Sequence, residues 1–212
     1  EFVDALDDEI DDAVEHTLAL VCEHTGGDRS YVCRVDLEQQ RLWRTHGWAR
    51  EPQVFASPIG AELPTDHFPA WHDLMMRFEP VVVDDTATAD PTWVSERHAL
   101  DALAIGAMVA VPLVRERTLI GFLAVDVHER AHHWLASDIE WLRVVTDILG
   151  SALARQDAAA QSHASEARFR ALVENSGDAL IVIDADAVIS HRPLGSELFG
   201  YSPDELLGTN SL

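Results

Sequence analysis

The feature that most constrains the fold is a pair of strand-like segments in the second half of the chain. Residues 107–114 read AMVAVPLV and are apolar at successive positions. Because side chains alternate between the two faces of a strand, such a run is typical of a strand that is buried on both faces. A second apolar segment, residues 118–127, follows after three residues. The sequence therefore predicts a central buried strand and a strong neighbouring strand.

The first part of the chain predicts an amphipathic helix followed by two strands. The helix covers residues 4–24, where apolar residues recur at spacings of four, four, four and three, namely Leu6, Ile10, Val14, Leu18 and Val21. The strands cover residues 29–36 and 41–48. Strict alternation in the second strand places four residues on one face: Leu42, Arg44, His46 and Trp48.

The sequence of the middle region predicts a connection made of irregular chain, two helices and a short strand. Residues 49–66 contain three prolines and a glycine, which favours an irregular connection. Asp66 is expected to cap a short helix that runs to about Phe78. A short strand at Val81–Val83 and a helix over residues 90–103 complete this region.

A long helix is predicted to open at Ser137 and Asp138. Its apolar positions follow steps of three and four, first strongly at Ile139, Leu142, Thr146, Leu149 and Leu153, and then with weaker residues at Gln156, Ala160, His163 and Ala167. This pattern resembles the heptad repeat of a coiled coil, with apolar positions that become weaker along the helix. We therefore expect a homodimer through the terminal helices, with Leu142, Leu149 and Leu153 at its surface, and a rigid connection between modules.

Charge and cysteine content exclude several function classes. The 37 acidic residues against 15 Lys and Arg give a formal net charge of -22, which disfavours contact with nucleic acid or anionic membranes. The longest apolar stretch, residues 102–114, is too short to span a bilayer. Cys22 and Cys33 form no CxxC pair, so neither a disulfide framework nor a zinc site is predicted. A cytoplasmic location and no metal site are expected.

Residues 4–156 resemble a GAF domain in the order of their elements. The most specific stretches are residues 30–36 (SYVCRVD), 45–48 (THGW), 105–113 (IGAMVAVPL), 119–126 (LIGFLAVD) and 134–140 (WLASDIE). The resemblance implies an α+β fold, with an antiparallel sheet of five or six strands whose one face is covered by the terminal helices. The other face and the crossover would enclose a small molecule. The candidate pocket residues are Trp48, Phe68, Trp71, Trp93, His98, Met108 and Asp126.

Residues 166–212 resemble the opening of a PAS domain, on residues 166–176 (EARFRALVENS), 178–184 (DALIVID) and 199–208 (FGYSPDELLG). The implied organisation is a GAF domain over 4–156, a helical linker over 157–173 and the N-terminal part of a truncated PAS domain over 174–212. Ala187 stands where the family usually has Gly, and Arg192 stands where it usually has Asn.

Tandem GAF and PAS modules resemble the input halves of bacterial sensor histidine kinases and of GGDEF or EAL signalling proteins. The implied function is a regulatory module of a two-component or related bacterial system, which senses a small molecule, dimerises and relays its state to PAS and output domains. No catalytic motif of those outputs occurs, so the chain is not expected to be an enzyme by itself. The alternative is a structural dimerisation and relay module without a ligand.

Family chemistry allows further tests of the ligand. Bilin-binding GAF domains carry a His-Cys pair at a fixed distance before the glycine that starts the next strand. Counted back from Gly106 without gaps, His98 matches the histidine and Ala99 matches the cysteine, so covalent attachment of a bilin is disfavoured. Haem ligation by His98 and cyclic-nucleotide binding are not supported, and the ligand is unknown. A GAF-type methionine sulfoxide reductase is a further alternative. That chemistry needs an attacking thiolate and a resolving thiol near the pocket, which Cys22 and Cys33 do not match.

Overall fold

The structure is a computed structural model that describes residues 2–51, 59–65, 68–176, 181, 183–184, 186–190, 200 and 202–209. Its elements in chain order are α1 (Phe2–Thr25), β1 (Arg29–Asp36), β2 (Arg41–Ala49), β3 (Glu62–Pro64), α2 (Pro69–Met76), β4 (Val81–Val83), a 3-10 helix (Thr86–Thr88), α3 (Val94–Ala102), β5 (Ile105–Arg115), β6 (Thr118–His128), α4 (Ala136–Ser176) and α5 (Pro203–Leu206). The chain divides into two compact units, residues 1–154 and 155–212.

The six strands form one antiparallel sheet in the order β3-β2-β1-β6-β5-β4. This arrangement confirms the α+β fold and the sheet of five or six strands predicted from the sequence. The strands with the strongest apolar pattern, β5 and β6, lie inside the sheet with a neighbour on each side. Both are buried along most of their length, as expected for strands covered on both faces.

The sheet separates two hydrophobic cores. The first, which we call the helix-side core, joins α1 and the first half of α4 to alternate residues of the sheet, including Val32, Val109 and Val125. The second, the cavity-side core, joins α2 and α3 to the intervening residues, including Met108 and Ala124. The period-two alternation of each strand therefore supplies a different set of side chains to each core.

The long helix α4 packs on the sheet through its first half. Leu142, Leu149 and Leu153 retain 1%, 3% and 4% of their exposure and belong to the helix-side core. The expectation that these leucines form the surface of a dimer is therefore corrected. A helix lying on a sheet needs an apolar stripe at the same spacings of three and four as a coiled coil, and that requirement produced the heptad-like pattern.

A β-bulge in β2 changes which residues share a face. Val32 of β1 pairs with His46, but the next residue, Cys33, pairs with Arg44, so Thr45 is an extra residue in β2. One extra residue reverses the alternation of everything beyond it. Arg44 therefore faces the cavity side, whereas His46 faces α1 and contacts Asp11 through Nε2 at 3.0 Å.

The residues of β2 that come after the bulge point to the helix side at the even-numbered positions. Trp48 pairs with Ser30, whose hydroxyl donates to the carbonyl oxygen of Leu18 in α1 at 2.7 Å. Trp48 accordingly packs against the helix-side core. The prediction that Leu42, Arg44, His46 and Trp48 share one face is wrong, because it assumed an uninterrupted strand.

One position of β6 must be glycine, because the backbone of β1 passes very close to it. A Cβ at Gly121 would lie 2.1 Å from the carbonyl oxygen of Cys33 in β1. No side chain fits at that distance, so the pairing of β1 with β6 requires glycine there.

The crossover differs from the sequence prediction in three elements. The structure contains β3, which pairs with β2 and was predicted as irregular chain. Helix α2 begins at Pro69 rather than at Asp66, a residue that lies outside the described part. Helix α3 begins at Val94 rather than at residue 90, because Asp90 instead caps a turn by accepting a hydrogen bond from the Thr92 backbone at 2.8 Å.

The second unit contains the rest of α4, a short turn and α5. Asp184 holds the turn, because its Oδ1 accepts hydrogen bonds from the backbone N–H of Asp186 at 3.0 Å and of Val188 at 2.9 Å. Ile183 and Ile189 form an antiparallel bridge beside this turn. Residues 178–180 and 182 of the PAS-like stretch 178–184, and residues 199 and 201 of the stretch 199–208, lie outside the described residues. The domain boundaries given for this region stay a prediction.

None of the helices described has the length and the apolar character needed to cross a membrane.

Candidate functional site

A cavity of about 170 Å³ lies on the face of the sheet opposite α1 and α4. Strands β1, β2, β5 and β6 form one side of it, and α2 and α3 form the other. Its walls are largely apolar, with Met75, Leu100, Leu103, Met108 and Phe122 among the lining residues. Mostly apolar walls with a few polar groups are the usual composition of a small-molecule site.

Aromatic rings from the crossover cover part of the cavity. Phe68 and Trp71 stack with ring centroids 5.2 Å apart and an interplanar angle of 7°, and both line the cavity. The ring of Trp93 contacts the ring of Trp71 edge-on, with ring centroids 6.4 Å apart and an interplanar angle of 85°. The three rings support one another, since offset stacks and edge contacts both suit the aromatic quadrupole.

A buried glutamate joins the two covering helices. Glu96 in α3 is 1% exposed, and its Oε1 accepts a hydrogen bond from the backbone N–H of Ala70 at 2.7 Å. The N-cap residue of α2, Phe68, makes no side-chain capping bond, so Glu96 satisfies a donor that the helix leaves open. The partial positive charge of the helix N-terminus also favours a carboxylate there. Glu96 was missed in the sequence, because its partner lies 26 residues away in a different helix.

An ion pair forms the polar end of the cavity. Arg29 of β1 and Asp126 of β6 are register partners, and Nε of the arginine lies 2.5 Å from Oδ1 of the aspartate. Both side chains are almost completely buried. Burial raises the pKa of the Asp126 carboxyl above its usual range, and the Arg29 guanidinium opposes that shift. A buried pair of this kind holds its two strands in register and tolerates loss of neither partner.

Tyr31 completes this polar end. It is half-buried beside Asp126, and desolvation, followed by the negative charge of Asp126, raises the pKa of its hydroxyl well above the ordinary value. Oδ2 of Asp126 is buried without a hydrogen bond of ordinary geometry to any described residue. Asp126 and Arg29 therefore serve the register of the sheet as well as the lining of the cavity.

Arg44 brings a second guanidinium to the cavity. It stands opposite Cys33 across β1 and β2, where the bulge at Thr45 directs it. Burial is the largest influence on its pKa and lowers it, and the positive charge of Arg29 acts in the same direction. Arg44 is thus a partly desolvated cation among apolar side chains.

The two cysteines lie on opposite faces of the sheet. Cys33 lines the cavity, and Cys22 belongs to the helix-side core. Burial raises the pKa of Cys33 to about 12 and the pKa of Cys22 to about 11. Because the thiolate is the reactive form, both groups are held in an unreactive state at neutral pH.

The structure brings together four of the seven candidate pocket residues. Phe68, Trp71, Met108 and Asp126 all line the cavity. Trp48 lies on the other face of the sheet because of the bulge at Thr45, and Trp93 contacts the ring of Trp71 edge-on. His98 is exposed on α3, whereas its neighbour Ala99 lines the cavity.

Sequence reasoning missed the cations of the lining. Arg29 was not singled out, and Arg44 was placed on the same face as Trp48. The alternation of Arg29 with Tyr31, Cys33 and Val35 was a signal for the first of them. No local pattern pointed to Arg44, because the bulge at Thr45 is not visible in the alternation of β2. Among the described residues, no three His, Cys, Asp or Glu side chains are arranged to hold a metal ion.

The thiols predict an alkaline loss of stability. Both ordinary pKa values are 9.0, and both folded values are higher, so above pH 9 the unfolded chain releases protons that the folded chain retains. Stability is therefore expected to fall by up to about 1.4 kcal/mol per thiol for each pH unit above 9. Urea unfolding on either side of pH 9 measures this slope. The Cys22→Ala, Cys33→Ala double variant should show a shallower slope, and an equal slope would contradict the assignment.

The comparisons with known proteins agree with this geometry. The family model of the GAF domain matches residues 9–153. Among curated proteins, no sequence gives a significant match. The family match ends at residue 153, so the PAS resemblance of residues 166–212 stays a prediction.

Several solved structures share the fold. The phycocyanobilin-bound GAF domain of a cyanobacterial phytochrome superposes with a TM-score of 0.61 at 19% identity, covering 71% of this chain and 87% of that one. The PixJ GAF domain of Thermosynechococcus elongatus, in its blue-light absorbing form, gives 0.61 at 18% identity, covering 76% and 94%. A domain assigned to a two-component sensor histidine kinase protein of Sinorhizobium meliloti 1021 gives 0.53 at 19% identity, covering 72% and 96%.

The sheet order, the helices on its two faces and the family match over more than half of the residues lead to one assignment. The chain belongs to the GAF domain family.

Proposed function

We propose that this chain is a regulatory module that binds a small molecule in the cavity and passes the resulting change along α4 to domains that follow it. GAF domains are small-molecule-sensing regulatory domains of signalling proteins. The observation that carries the proposal is the cavity itself, enclosed between the sheet and the two crossover helices.

The size of the cavity supports a small ligand. Its volume of about 170 Å³ is close to that of an engineered protein cavity of ~150 Å³ that admits benzene. Pockets for drug-sized molecules begin at roughly 300 Å³. A ligand with one or two rings fits this space better than a large chromophore.

Covalent attachment of a chromophore is not supported by the lining. Ala99 occupies the position at which bilin-binding relatives are expected to carry a cysteine, and it lines the cavity without a thiol. Cys33 is the thiol in the lining, and its pKa of about 12 keeps it protonated. Thiol exchange between Cys33 and Cys22, as a sulfoxide reductase would need, is opposed by the sheet that lies between them.

Homodimerisation is part of the proposal, on a surface that differs from the one expected from the heptad pattern. Val144 and Ile148 are one turn apart on α4 and are 58% and 64% exposed, and Leu20 on α1 is 47% exposed. We call these three residues the outer apolar face. They lie on the two helices that cover the sheet, and burying them against a second chain would remove apolar area from water.

Helix α4 supplies a route for the signal. Its first half contributes Leu142, Leu149 and Leu153 to the helix-side core, while side chains 158–171 are exposed. A ligand changes the packing of this helix only to the extent that it binds one arrangement of the core more tightly than another. The relay to PAS and output domains therefore depends on a two-state packing of α4.

Filling the cavity tests ligand sensing. Ala99 lines the cavity from α3, and Ala102 is exposed on the same helix. Thermal unfolding against a library of small one-ring and two-ring compounds should give stabilising hits with the unchanged chain. Ala99→Phe should abolish those shifts because the ring occupies the space, and the matched Ala102→Phe should retain them.

Hits that survive Ala99→Phe would contradict the location of the site. A library that stabilises neither protein would favour the alternative, a structural dimerisation and relay module without a ligand.

Two neighbouring substitutions test the dimer surface. Ile148→Glu should yield a folded monomer, because it places a charge on the outer apolar face. Leu149→Glu should instead lower the free energy of unfolding by more than about 4 kcal/mol, because it buries an unpaired charge. Light scattering after size exclusion measures the mass, and urea unfolding measures stability.

Met76→Glu, at an apolar residue 44% exposed on α2, is the control and should remain dimeric. A dimer that withstands Ile148→Glu would refute the surface.

A further inference from the structure

Asp84 fastens the segment that precedes α4 to the end of β4. It directly follows Val83, the last residue of β4, and its carbonyl oxygen accepts a hydrogen bond from the backbone N–H of His132 at 2.9 Å. Its Oδ1 accepts another from the backbone N–H of Trp134 at 3.1 Å, and its Oδ2 lies 2.7 Å from Nδ1 of His133. One residue therefore contacts three successive residues of the segment that leads into α4.

These contacts favour the charged form of the Asp84 carboxyl. Desolvation acts to raise its pKa, but the hydrogen bond from the Trp134 backbone, followed by the interaction with His133, brings the pKa below the ordinary value. A carboxylate that accepts a backbone N–H forms a charge-assisted hydrogen bond, which is stronger than a bond between neutral groups. The side chain of Asp84 is 46% exposed, so its replacement does not empty a space in either core.

Trp134 joins the two sides of the sheet. It is 3% exposed and belongs to the helix-side core, together with Leu142 and Val145 of α4. Its Nε1–H nevertheless donates to the carbonyl oxygen of Val83 at 3.1 Å, and the side chain of Val83 belongs to the cavity-side core. Val83 is in turn the register partner of Met108, which lines the cavity. A series of direct contacts thus leads from the cavity lining through β4 to Trp134.

Trp134 also lies close to the first residue of α4, Ala136. The residue between them, Leu135, donates its backbone N–H to Oδ2 of Asp138 at 3.2 Å, a bond typical of a helix N-terminus. The carbonyl oxygen of Leu135 accepts from the backbone N–H of Asp138 at 3.0 Å and of Ile139 at 3.2 Å. Because a single residue separates Trp134 from the helix, a displacement of Trp134 moves the start of α4.

A further bond ties the same segment to the end of α3. The backbone N–H of Glu129 donates to the carbonyl oxygen of Ala104 at 3.0 Å. Ala104 directly follows Leu103, which lines the cavity. The backbone of Arg130 passes so close to β5 that a Cβ at Gly106 would lie 2.3 Å from its nitrogen. The segment between β6 and α4 is therefore held against elements of the cavity side at both of its ends.

We propose that residues 129–135, which we call the β6–α4 connection, transmit the filling of the cavity to the start of α4 through the bonds of Asp84 and Val83 with Trp134. This inference rests on the proposed sensing function and names the route of its relay. A ligand that displaces α3 or β4 changes the geometry of these bonds, and the bonds then favour a different position of α4. Asp84 is a positioning residue, because it acts on α4 through Trp134 and is not among the described residues of the lining.

Benzene is a probe of suitable size, because an engineered cavity of ~150 Å³ admits it and this cavity measures about 170 Å³. Backbone amide resonances of the full chain are recorded with and without benzene. The amides of Leu100, Leu103 and Met108 report binding at the lining. Amides 136–142 report the start of α4, which packs on the other face of the sheet, so their shifts reflect displacement rather than contact with benzene. Both groups of amides should shift in the unchanged chain.

Replacing Asp84 should separate the two groups of resonances. In Asp84→Ala the lining amides should still shift with benzene, whereas the shifts at 136–142 should be largely lost. Asp90→Ala is the matched control, because Asp90 lies between β4 and α3 and its carboxylate holds a local turn by accepting from Thr92. The control should retain both groups of shifts. Thermal unfolding of each variant without benzene checks that it is folded.

Trp134→Phe tests the same route without changing Asp84. Phenylalanine keeps an aromatic ring in the helix-side core but lacks the Nε1–H that binds the carbonyl oxygen of Val83. The shifts at 136–142 should again decrease relative to the shifts of the lining amides. This variant decides the question if Asp84→Ala does not fold.

The contradicting results separate the route from the sensing function. Lining shifts without shifts at 136–142 in the unchanged chain would overturn the route and leave the cavity as a binding site. Shifts at 136–142 that persist in both Asp84→Ala and Trp134→Phe, or that are lost equally in Asp90→Ala, would also exclude this route while sensing stands. No shift of the lining amides would exclude filling of the cavity by a small ring, and with it both the route and the proposed ligand site.

Discussion

Burial of β5 and β6 on both faces is the constraint on which the rest of the structure depends. These two strands are apolar along both faces, and the chain must cover each face with other elements to remove them from water. Helices α1 and α4 cover one face and produce a densely packed core. Helices α2 and α3 cover the other face less completely, and the cavity lies in the space that remains. The stable core and the binding site are thus the two sides of one sheet.

That division explains why the polar groups of the cavity do not disrupt the fold. The Arg29–Asp126 pair joins β1 to β6, and Glu96 joins α3 to the start of α2. Each buried charge therefore has a partner that also connects two elements. The bulge at Thr45 places a further arginine, Arg44, at the cavity rather than in the helix-side core.

Much of the fold follows from local patterns in the sequence. The alternation of β1 and the triple valine of β4 predicted both strands at their observed bounds. The apolar run over residues 107–114 predicted an interior strand, and β5 has a neighbour on each side. Phe68, Trp71, Met108 and Asp126 were placed in the pocket by resemblance to the family, and the structure assembles them there.

The failures share one physical origin, which is that they depend on contacts between distant residues. Alternation alone cannot reveal the bulge at Thr45, so Trp48 was assigned to the wrong face. Spacing alone cannot distinguish an apolar stripe that packs on a sheet from one that packs on a second helix, so Leu149 was assigned to a dimer surface. Glu96 and the start of α2 are joined across 26 residues, which no local pattern shows.

The position of Trp48 is the most direct test that the bulged sheet separates a helix-side core from the cavity. Nuclear Overhauser contacts from its indole ring to methyl groups, in a protein labelled at its Ile, Leu, Val and Met methyls, measure which core it occupies. Contacts with methyl groups of the helix-side core are expected. Contacts with the methyl groups of Met75 or Met108 would place Trp48 in the cavity and would contradict the division of the sheet on which the proposed site depends.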